Sequence, residues 1–462
     1  MYIFCMHNSF IFKKGFFTIL KNNKEIKIVS NKSLFFNIHN NAFEQLLSIS
    51  EIPEVISPIL AMPDIHVGFG VPIGSVFATD SKKGIISSDA VGYDINCGIR
   101  LIKTNLNIKD ISKQNLQLLS KELKNLPLGL SNEGIKITNQ DYNLILTTGA
   151  NWCVSKKYCS KSDLRHMYNN GFFKNAIVSK ISKEALKRGK LQVGTLGQGN
   201  HFIDVLSVDS IFNLEVANYF GLEKGQLVIL MHSGSRGLGH QIASDYYKLL
   251  KKTHGLGYSL ISSKVGSDYY KAMLAAANFA FVNRTVLTYK IQEAFNKVLG
   301  LTSRIKFSLL YDLTHNLATI EKHFNKEYLI TRKGATRVFL PEDLSSKNPF
   351  KKTGAPIILP GSMLDYSYVL IPDKGVKETF MSVAHGSGRN ISRTDAKKRI
   401  SFKDLKILME KNNIILENVS ENLAREEQPA AYKNSIKVVN SMKTAKLVKK
   451  VARLKPVIVV IG

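Results

Sequence analysis

The run Val91-Gly92-Tyr93-Asp94-Ile95-Asn96-Cys97-Gly98-Ile99-Arg100 constrains the fold more than any other stretch of the chain. It sets a carboxylate, Asp94, and a thiol, Cys97, three residues apart beside glycine and arginine, just before an apolar run. A cysteine so placed is a candidate ligand or nucleophile rather than a structural thiol. The fold must then bring partners to it from elsewhere in the sequence.

The bulk sequence bounds what those partners can serve. At 462 residues the chain has room for one large core or for two to three ordinary domains, and 44% hydrophobic residues is a globular composition. No apolar run approaches the roughly 18 residues of a membrane helix, and the first twenty residues lack the block of a signal peptide. Cysteines at 5, 97, 153 and 159 form no paired framework, so a reduced, cytoplasmic chain is expected, with Cys153 and Cys159 as plain thiols. Sixty-four Lys plus Arg against 36 Asp plus Glu give +28, which favours a polyanion such as nucleic acid. Richness in Lys, Asn and Ile along the whole chain makes part of that charge compositional.

The pattern predicts an α+β fold: a single large mixed domain over 1–462, with central β-sheets flanked by helices. Short β-like runs are expected at 10–20 and 25–29, and strands at 67–74, 84–88, 99–103, 226–231, 304–310, 355–359, 367–371 and 456–461. Helical periodicity marks 108–125, 176–189, 240–252, 269–298, 403–411 and 435–450. There is no regular βαβ rhythm and no internal repeat. The polar, irregular stretch 149–173 reads as an insertion or a lid.

Histidines carry the candidate chemistry. His201 follows Gly197-Gln198-Gly199-Asn200, His232 ends an apolar run and opens Ser233-Gly234-Ser235-Arg236-Gly237, His315 follows another run, and His385 lies in Ala384-His385-Gly386-Ser387-Gly388-Arg389. Strand ends opening into glycine loops are where a rigid sheet presents side chains to a ligand. One thiolate, one carboxylate and three imidazoles exceed the four ligands of a structural zinc, which points to two metals with Cys97 as a possible bridge. Ligand softness leaves zinc, manganese and magnesium open. His385, with small neighbours and Arg389 nearby, reads as a nucleophile or as one more ligand. Six arginines in or beside glycine-rich turns, Arg100, Arg236, Arg332, Arg337, Arg389 and Arg393, read as phosphate-binding points, or as partners of carbonyls and core carboxylates.

Seven segments in order, Met62 to Gly68, Val91 to Arg100, Gly194 to Phe202, His232 to Gln241, Arg332 to Arg337, Gly361 to Met363 and Ala384 to Arg389, together resemble the RtcB family of RNA ligases. The resemblance runs from about residue 45 to the C-terminus, with residues 1–45 weakly matched. It implies a GTP- and manganese-dependent enzyme joining RNA ends that carry a 2′,3′-cyclic phosphate or 3′-phosphate to a 5′-hydroxyl, in tRNA splicing or RNA repair. Carried over, Asp94, Cys97, His201, His232 and His315 match ligands of two Mn²⁺ ions. His385 matches the histidine that carries GMP, and the activated end is RNA-3′-pp-5′-G. Asn200, Arg236, Asn316 and Arg389 match residues around the phosphates, and Ser362, Ser367 and Tyr432 match the guanine pocket. tRNA halves or other broken RNA would be substrates, an archease-type activator is a possible partner, and a monomer is expected.

The sequence departs from the family pattern at several points. Ile461 stands where a lysine usually reaches the guanine, and Asp204 stands where a glutamate is usual. Ser87-Ser88-Asp89-Ala90 replaces a Ser-Pro-Gly-Gly turn, Thr331 replaces a histidine, and Leu364-Asp365-Tyr366 replaces smaller residues. Two other functions fit the same residues: a metal-dependent cyclic phosphodiesterase or phosphatase acting on RNA ends without nucleotide transfer, and a non-catalytic RNA-binding protein.

Overall fold

The strand Gln226–Ser233 is apolar almost throughout because both of its faces are covered. Val228 and Leu230 enter one core cluster, while Leu227, Ile229 and Met231 enter another on the opposite face. In the computed structural model, which describes residues 10–254, 257–300 and 305–462, this strand lies inside a sheet ordered Phe307–Thr314, Gly98–Asn107, Gln226–Ser233, Phe202–Ile211, Val448–Ile461, Ser367–Pro372 and Ile357–Leu359. Ile415–Asn418 pairs in parallel with Val448–Ile461; the other neighbours are antiparallel.

A second sheet runs Ile11–Lys13, Phe16–Lys21, Lys24–Val29, Val55–His66, Ile73–Asp80, Lys326–Lys333 and Asn316–His323. One of its faces packs on the helices Lys32–Phe35 and Asn40–Ser48 through Phe17, Ile26, Ile28, Phe35 and Phe43. Its other face meets the first sheet through Leu60, Met62, Val76 and Ile330 against Leu359, Tyr368 and Leu370. The two sheets thus share one core, and the α+β expectation holds.

The helix Lys264–Leu299 is buried on every side from Ala272 to Leu287, as expected of a helix inside a large core. Ser263 caps its first turn by accepting from the Gly266 amide. The polar side chains of that buried stretch, Asn278, Asn283, Arg284 and Thr285, are all hydrogen-bonded. Asn278 accepts from the Phe173 amide and donates to the Leu146 and Phe173 carbonyls. The segment 149–173 is accordingly packed inward, with Trp152, Cys153, Met167, Tyr168 and Phe173 in the largest core cluster, rather than free to act as a lid.

Other expectations are corrected by tertiary pairing. The strand expected at 67–74 is interrupted: Val55–His66 ends at His66, 67–72 form a turn, and pairing resumes at Ile73–Asp80. The helix expected over 435–450 stops at Thr444, and Val448–Ile461 begins a strand held by Ser367–Pro372. Phe202–Ile211, Asn316–His323 and Lys326–Lys333 were not anticipated as strands. Cys5 and Arg304 lie outside the described residues.

Three of the arginines read as phosphate contacts are structural. Arg100 and Arg284 converge on the fully buried Asp312, at 2.6 Å and 2.8 Å. Arg332 and Arg337 share the fully buried Glu321, whose carboxyl falls far below its usual range because these charges and the His323 contact outweigh burial. Removing one partner of such a group strands an uncompensated charge in the core. Asp312→Asn should therefore lower stability by about 3–5 kcal/mol, read as an earlier denaturant midpoint with an unchanged slope; a midpoint equal to wild type would refute the assignment.

Candidate active site

Four neighbouring strands of the first sheet present a side chain at the same end. Phe307–Thr314 is followed by His315, Gly98–Asn107 is preceded by Cys97, Gln226–Ser233 carries His232, and Phe202–Ile211 is preceded by His201. The register aligns them: Thr314 pairs with Gly98, Ile99 with His232 and His232 with Phe202. Antiparallel pairing thus gathers residues from four distant parts of the sequence.

The atoms converge. Cys97 Sγ lies 3.0 Å from His232 Nε2 and 3.3 Å from His201 Nε2, and His232 Nε2 lies 3.1 Å from His315 Nε2. Asp94 Oδ2 is 2.9 Å from His201 Nε2. Cys97, His232 and His315 form one set with metal-ligand spacing, and Asp94, Cys97 and His201 form another, with the sulfur in both. The tautomer of His232 is fixed, because Nδ1 faces the Asn200 carbonyl at 2.8 Å and must carry the proton. Its Nε2 lone pair therefore points into the cluster, as ligation requires. Sulfur, imidazole nitrogen and carboxylate oxygen crowded at this distance suit divalent cations.

The surroundings hold the ligands in place. Asn283 and Arg284, adjacent on the buried helix, fasten the loops around them. Asn283 accepts from the Gly194 and Thr195 amides and donates to the Thr195 and Gly234 carbonyls. Arg284 donates to the carbonyls of Asn96 and Ser233, which flank Cys97 and His232. Asp94 Oδ1 accepts from the amide and hydroxyl at the start of the helix Arg236–His254, where the helix end favours negative charge. Gly197, at φ 119°, leaves room that a Cβ would occupy 1.9 Å from His201 Nδ1.

Electrostatics follow from burial and neighbours. Burial lowers His232 and His315 well below the usual histidine range, so both are neutral at pH 7. Burial, then the Asp94 charge, raises Cys97 well above the usual thiol value. Burial would raise Asp94 too, but the His201 hydrogen bond and charge, with Cys97 and Arg236, bring it far below the carboxylate range.

His385 comes from the other sheet's side. It follows the strand Ser382–Ala384, and its ring centroid is 4.7 Å from that of His315. Its Nδ1 is 2.6 Å from Asp64 Oδ2, and its backbone amide donates to the same oxygen. A carboxylate there keeps the proton on Nδ1 and frees Nε2 for attack. Asp64, on Val55–His66, is fully buried and was not anticipated; its place in Met62-Pro63-Asp64-Ile65-His66, within a matching motif, was the available signal. Gly388, at φ 72°, passes where a Cβ would sit 2.1 Å from the Asp64 carbonyl.

A cavity of about 770 Å³ opens beside these residues, lined by Asn200, Asp204, Ser362, His385, Arg389, Tyr432 and Ile461 among others, a volume suited to a nucleotide-sized ligand. Arg389 stacks over Tyr432 at 5.2 Å and pairs with Glu427 at 3.1 Å. Burial raises the Asp204 carboxyl well above its usual value, and its Oδ1 has no hydrogen-bond partner. Ile461 packs with Met363, Leu405 and Val459. Other expected contacts stand behind the wall. Ser367 Oγ accepts from the Gly361 amide, Asn316 links the Asp94 carbonyl to the Gly334 amide, and Arg236 is committed to Thr195 Oγ1 and the Gly129 carbonyl.

The family model described as tRNA-splicing ligase RtcB matches residues 45–462. The chain belongs to the RtcB family. It is 37% identical over 443 residues to the tRNA-splicing ligase RtcB of Archaeoglobus fulgidus, covering 92% of each chain. It is 38% identical over 446 residues to that of Methanococcus maripaludis, covering 93% of each. The RNA-splicing ligase RtcB homolog 1 of Entamoeba dispar is 39% identical over 478 residues, 97% of this chain and 89% of the relative. Among the described residues of this RtcB-family chain, no helix is long and apolar enough to cross a membrane.

The thiol and the two neutral imidazoles give metal binding a definite pH sign. His232 and His315 are already neutral at pH 7 and need give up no proton to bind a cation, whereas Cys97 holds one that a cation must displace. Titration of the protein with Mn²⁺ should release about one proton and tighten about tenfold per pH unit while Cys97 stays protonated. Calorimetry in buffers of different ionisation enthalpy measures this; release that persists in Cys97→Ser would refute it.

Proposed function

We propose that the protein is a GTP-dependent RNA ligase that joins a 3′-phosphate or 2′,3′-cyclic phosphate end to a 5′-hydroxyl, in tRNA splicing or RNA repair. One observation carries this reading: a histidine with its proton fixed on Nδ1 by Asp64 stands in the cavity against the ligand cluster. Membership of the family and its relatives' names support it.

His385 Nε2 attacks the α-phosphorus of GTP, forming an N–P bond as the bond to the β-phosphate oxygen breaks and pyrophosphate leaves. Asp64 stabilises the positive charge that develops on the ring and holds its orientation. An oxygen of the RNA 3′-phosphate then displaces His385 from that phosphorus, giving RNA-3′-pp-5′-G. Attack of the 5′-hydroxyl on the RNA phosphorus forms the new phosphodiester and expels GMP. A cyclic end first takes up water and opens to the 3′-phosphate. Two Mn²⁺ ions, held by Cys97, His232 and His315 and by Asp94, Cys97 and His201, would polarise phosphate oxygens and lower the pKa of the attacking hydroxyl.

All five of Asn200, Arg389, Ser362, Tyr432 and Asp204 line the cavity; in this reading Asn200 and Arg389 meet the phosphates, and Ser362, Tyr432 and Asp204 meet the base. Burial pushes the Asp204 carboxyl toward its protonated form, which both donates and accepts and so can read an amide-like base edge. Arg236, Asn316 and Ser367 serve by holding the loops on which the contacts stand.

Incubation with α-³²P-GTP and Mn²⁺ should leave acid-labile label on the protein, none on His385→Ala, and label forming at least about a hundredfold more slowly on Asp64→Asn. A protein that takes no label, yet opens cyclic phosphate ends with metal in His385→Ala, would instead be a phosphodiesterase.

A further inference from the structure

Beside the cavity, four rings form a row of mostly edge-to-face contacts, and only Phe69 among them also lines the cavity. His240 and Tyr93 lie 5.0 Å apart between centroids, Tyr93 and Phe69 5.7 Å, and Phe69 and Tyr247 5.3 Å. The row adjoins the site through its two middle rings, since Tyr93 precedes Asp94 in the chain and Phe69 lines the cavity. It continues along the helix Arg236–His254, where the Lys251 ammonium lies 5.9 Å from the Tyr247 ring.

Phe69 is 49% exposed, although its turn is firmly held. Lys333 donates to the carbonyls of Phe69 and Val71, and the Gln45 side-chain amide pairs with both backbone groups of Gly68. A large ring kept in solvent by a turn pinned from two sides is a presented surface, not a fraying one. Asp89, against Gly70 beneath the row, is the acidic neighbour; burial raises its carboxyl to about 6, with Lys333 and Lys251 opposing.

We propose that Phe69, Tyr93, His240 and Tyr247 form a stacking platform for unpaired bases of the RNA strand next to the junction, with Lys251 meeting a phosphate. Aromatic rings accept any base face, and a cation at the end of the row follows the backbone, which is the general chemistry of single-strand binding. The net charge of +28 suits the same polyanion. A ligase that accepts varied ends gains from holding the strand without reading its sequence, and a row leading away from the metal cluster supplies that grip. The inference rests on the RNA-ligase reading.

Fluorescence titration of full-length protein with a short single-stranded RNA tests it without turnover. Phe69→Ala and Tyr247→Ala should each weaken binding about 5- to 150-fold. Phe69→Trp and Tyr247→Phe should keep it, and Phe69→Leu should not. RNA made abasic at the stacked position should bind wild type and Ala variants alike. Lys251→Ala should weaken all sequences equally and reduce the slope of log affinity against log salt by about one. Unchanged affinity in both Ala variants, retention by Phe69→Leu, or an equal loss on abasic RNA would overturn the platform. A change in the protein's sedimenting mass, with RNA affinity intact, would overturn it in favour of a protein-docking face. Failure of the ligase reading shows separately, as a wild type that binds RNA through these rings yet takes no label from GTP.

Discussion

The Arg284–Asp312 pair, with neither side chain exposed, is the contact on which the rest of the site depends. A buried ion pair is weak as a source of stability but severe as a constraint, because each charge forbids any arrangement that leaves the other unmatched. Arg284 spends its Nε and one terminal nitrogen on Asp312, and the other terminal nitrogen reaches the carbonyls of Asn96 and Ser233. Those carbonyls flank the thiol shared by the two ligand sets and His232, a member of one of them. A helix buried on all sides thereby acts as the fixed axis to which the ligand loops are tied, and Asn283, one residue earlier, ties the Gly194–Thr195 backbone by the same logic.

The second condition is that two sheets meet. One supplies Cys97, His201, His232 and His315 from the ends of adjacent strands; the other supplies Asp64, and through it the orientation of His385. Neither half holds the full set. The shared apolar core between Met62, Val76 and Ile330 on one side and Leu359 and Leu370 on the other therefore sets the distance between the ligand cluster and His385. Packing at close to crystal density allows little slack there, so the geometry of the chemistry is inherited from the core.

The sequence was most legible where residue type itself limits what a side chain can do. Cys97, Asp94 and the glycine-flanked histidines were recognisable because thiols, carboxylates and imidazoles at strand ends have few other uses, and the structure brings them together. Arginine was less legible. Arg100, Arg332 and Arg337 looked like phosphate contacts, but their partners, Asp312 and Glu321, lie far away in sequence or on a strand that local periodicity did not reveal. Asn283 and Arg284 were hidden for a related reason: inside an apolar helix their meaning comes from the loops that tertiary packing lays against them. The region 445–450 failed as a helix because the ladder with Ser367–Pro372 outweighs a local lysine-rich pattern.

The same reasoning bears on the base end of the cavity. Ile461 pairs in register with Phe202 and packs against Met363 and Leu405, so its place is fixed by the sheet and by apolar contact. No ammonium stands at that position to balance Asp204, and burial accordingly drives the Asp204 carboxyl toward its neutral form. These two features are consistent with one another: an ionised acid beside an isoleucine would be an unpaired buried charge, whereas a protonated one is tolerable. On the proposed reading, base recognition at this wall would rest on a carboxyl that burial pushes toward its protonated form, able to donate and to accept, with apolar surface beside it. Such a pairing rewards a base edge that presents an acceptor next to a donor, and it discriminates by leaving the carboxyl unsatisfied when the edge is wrong.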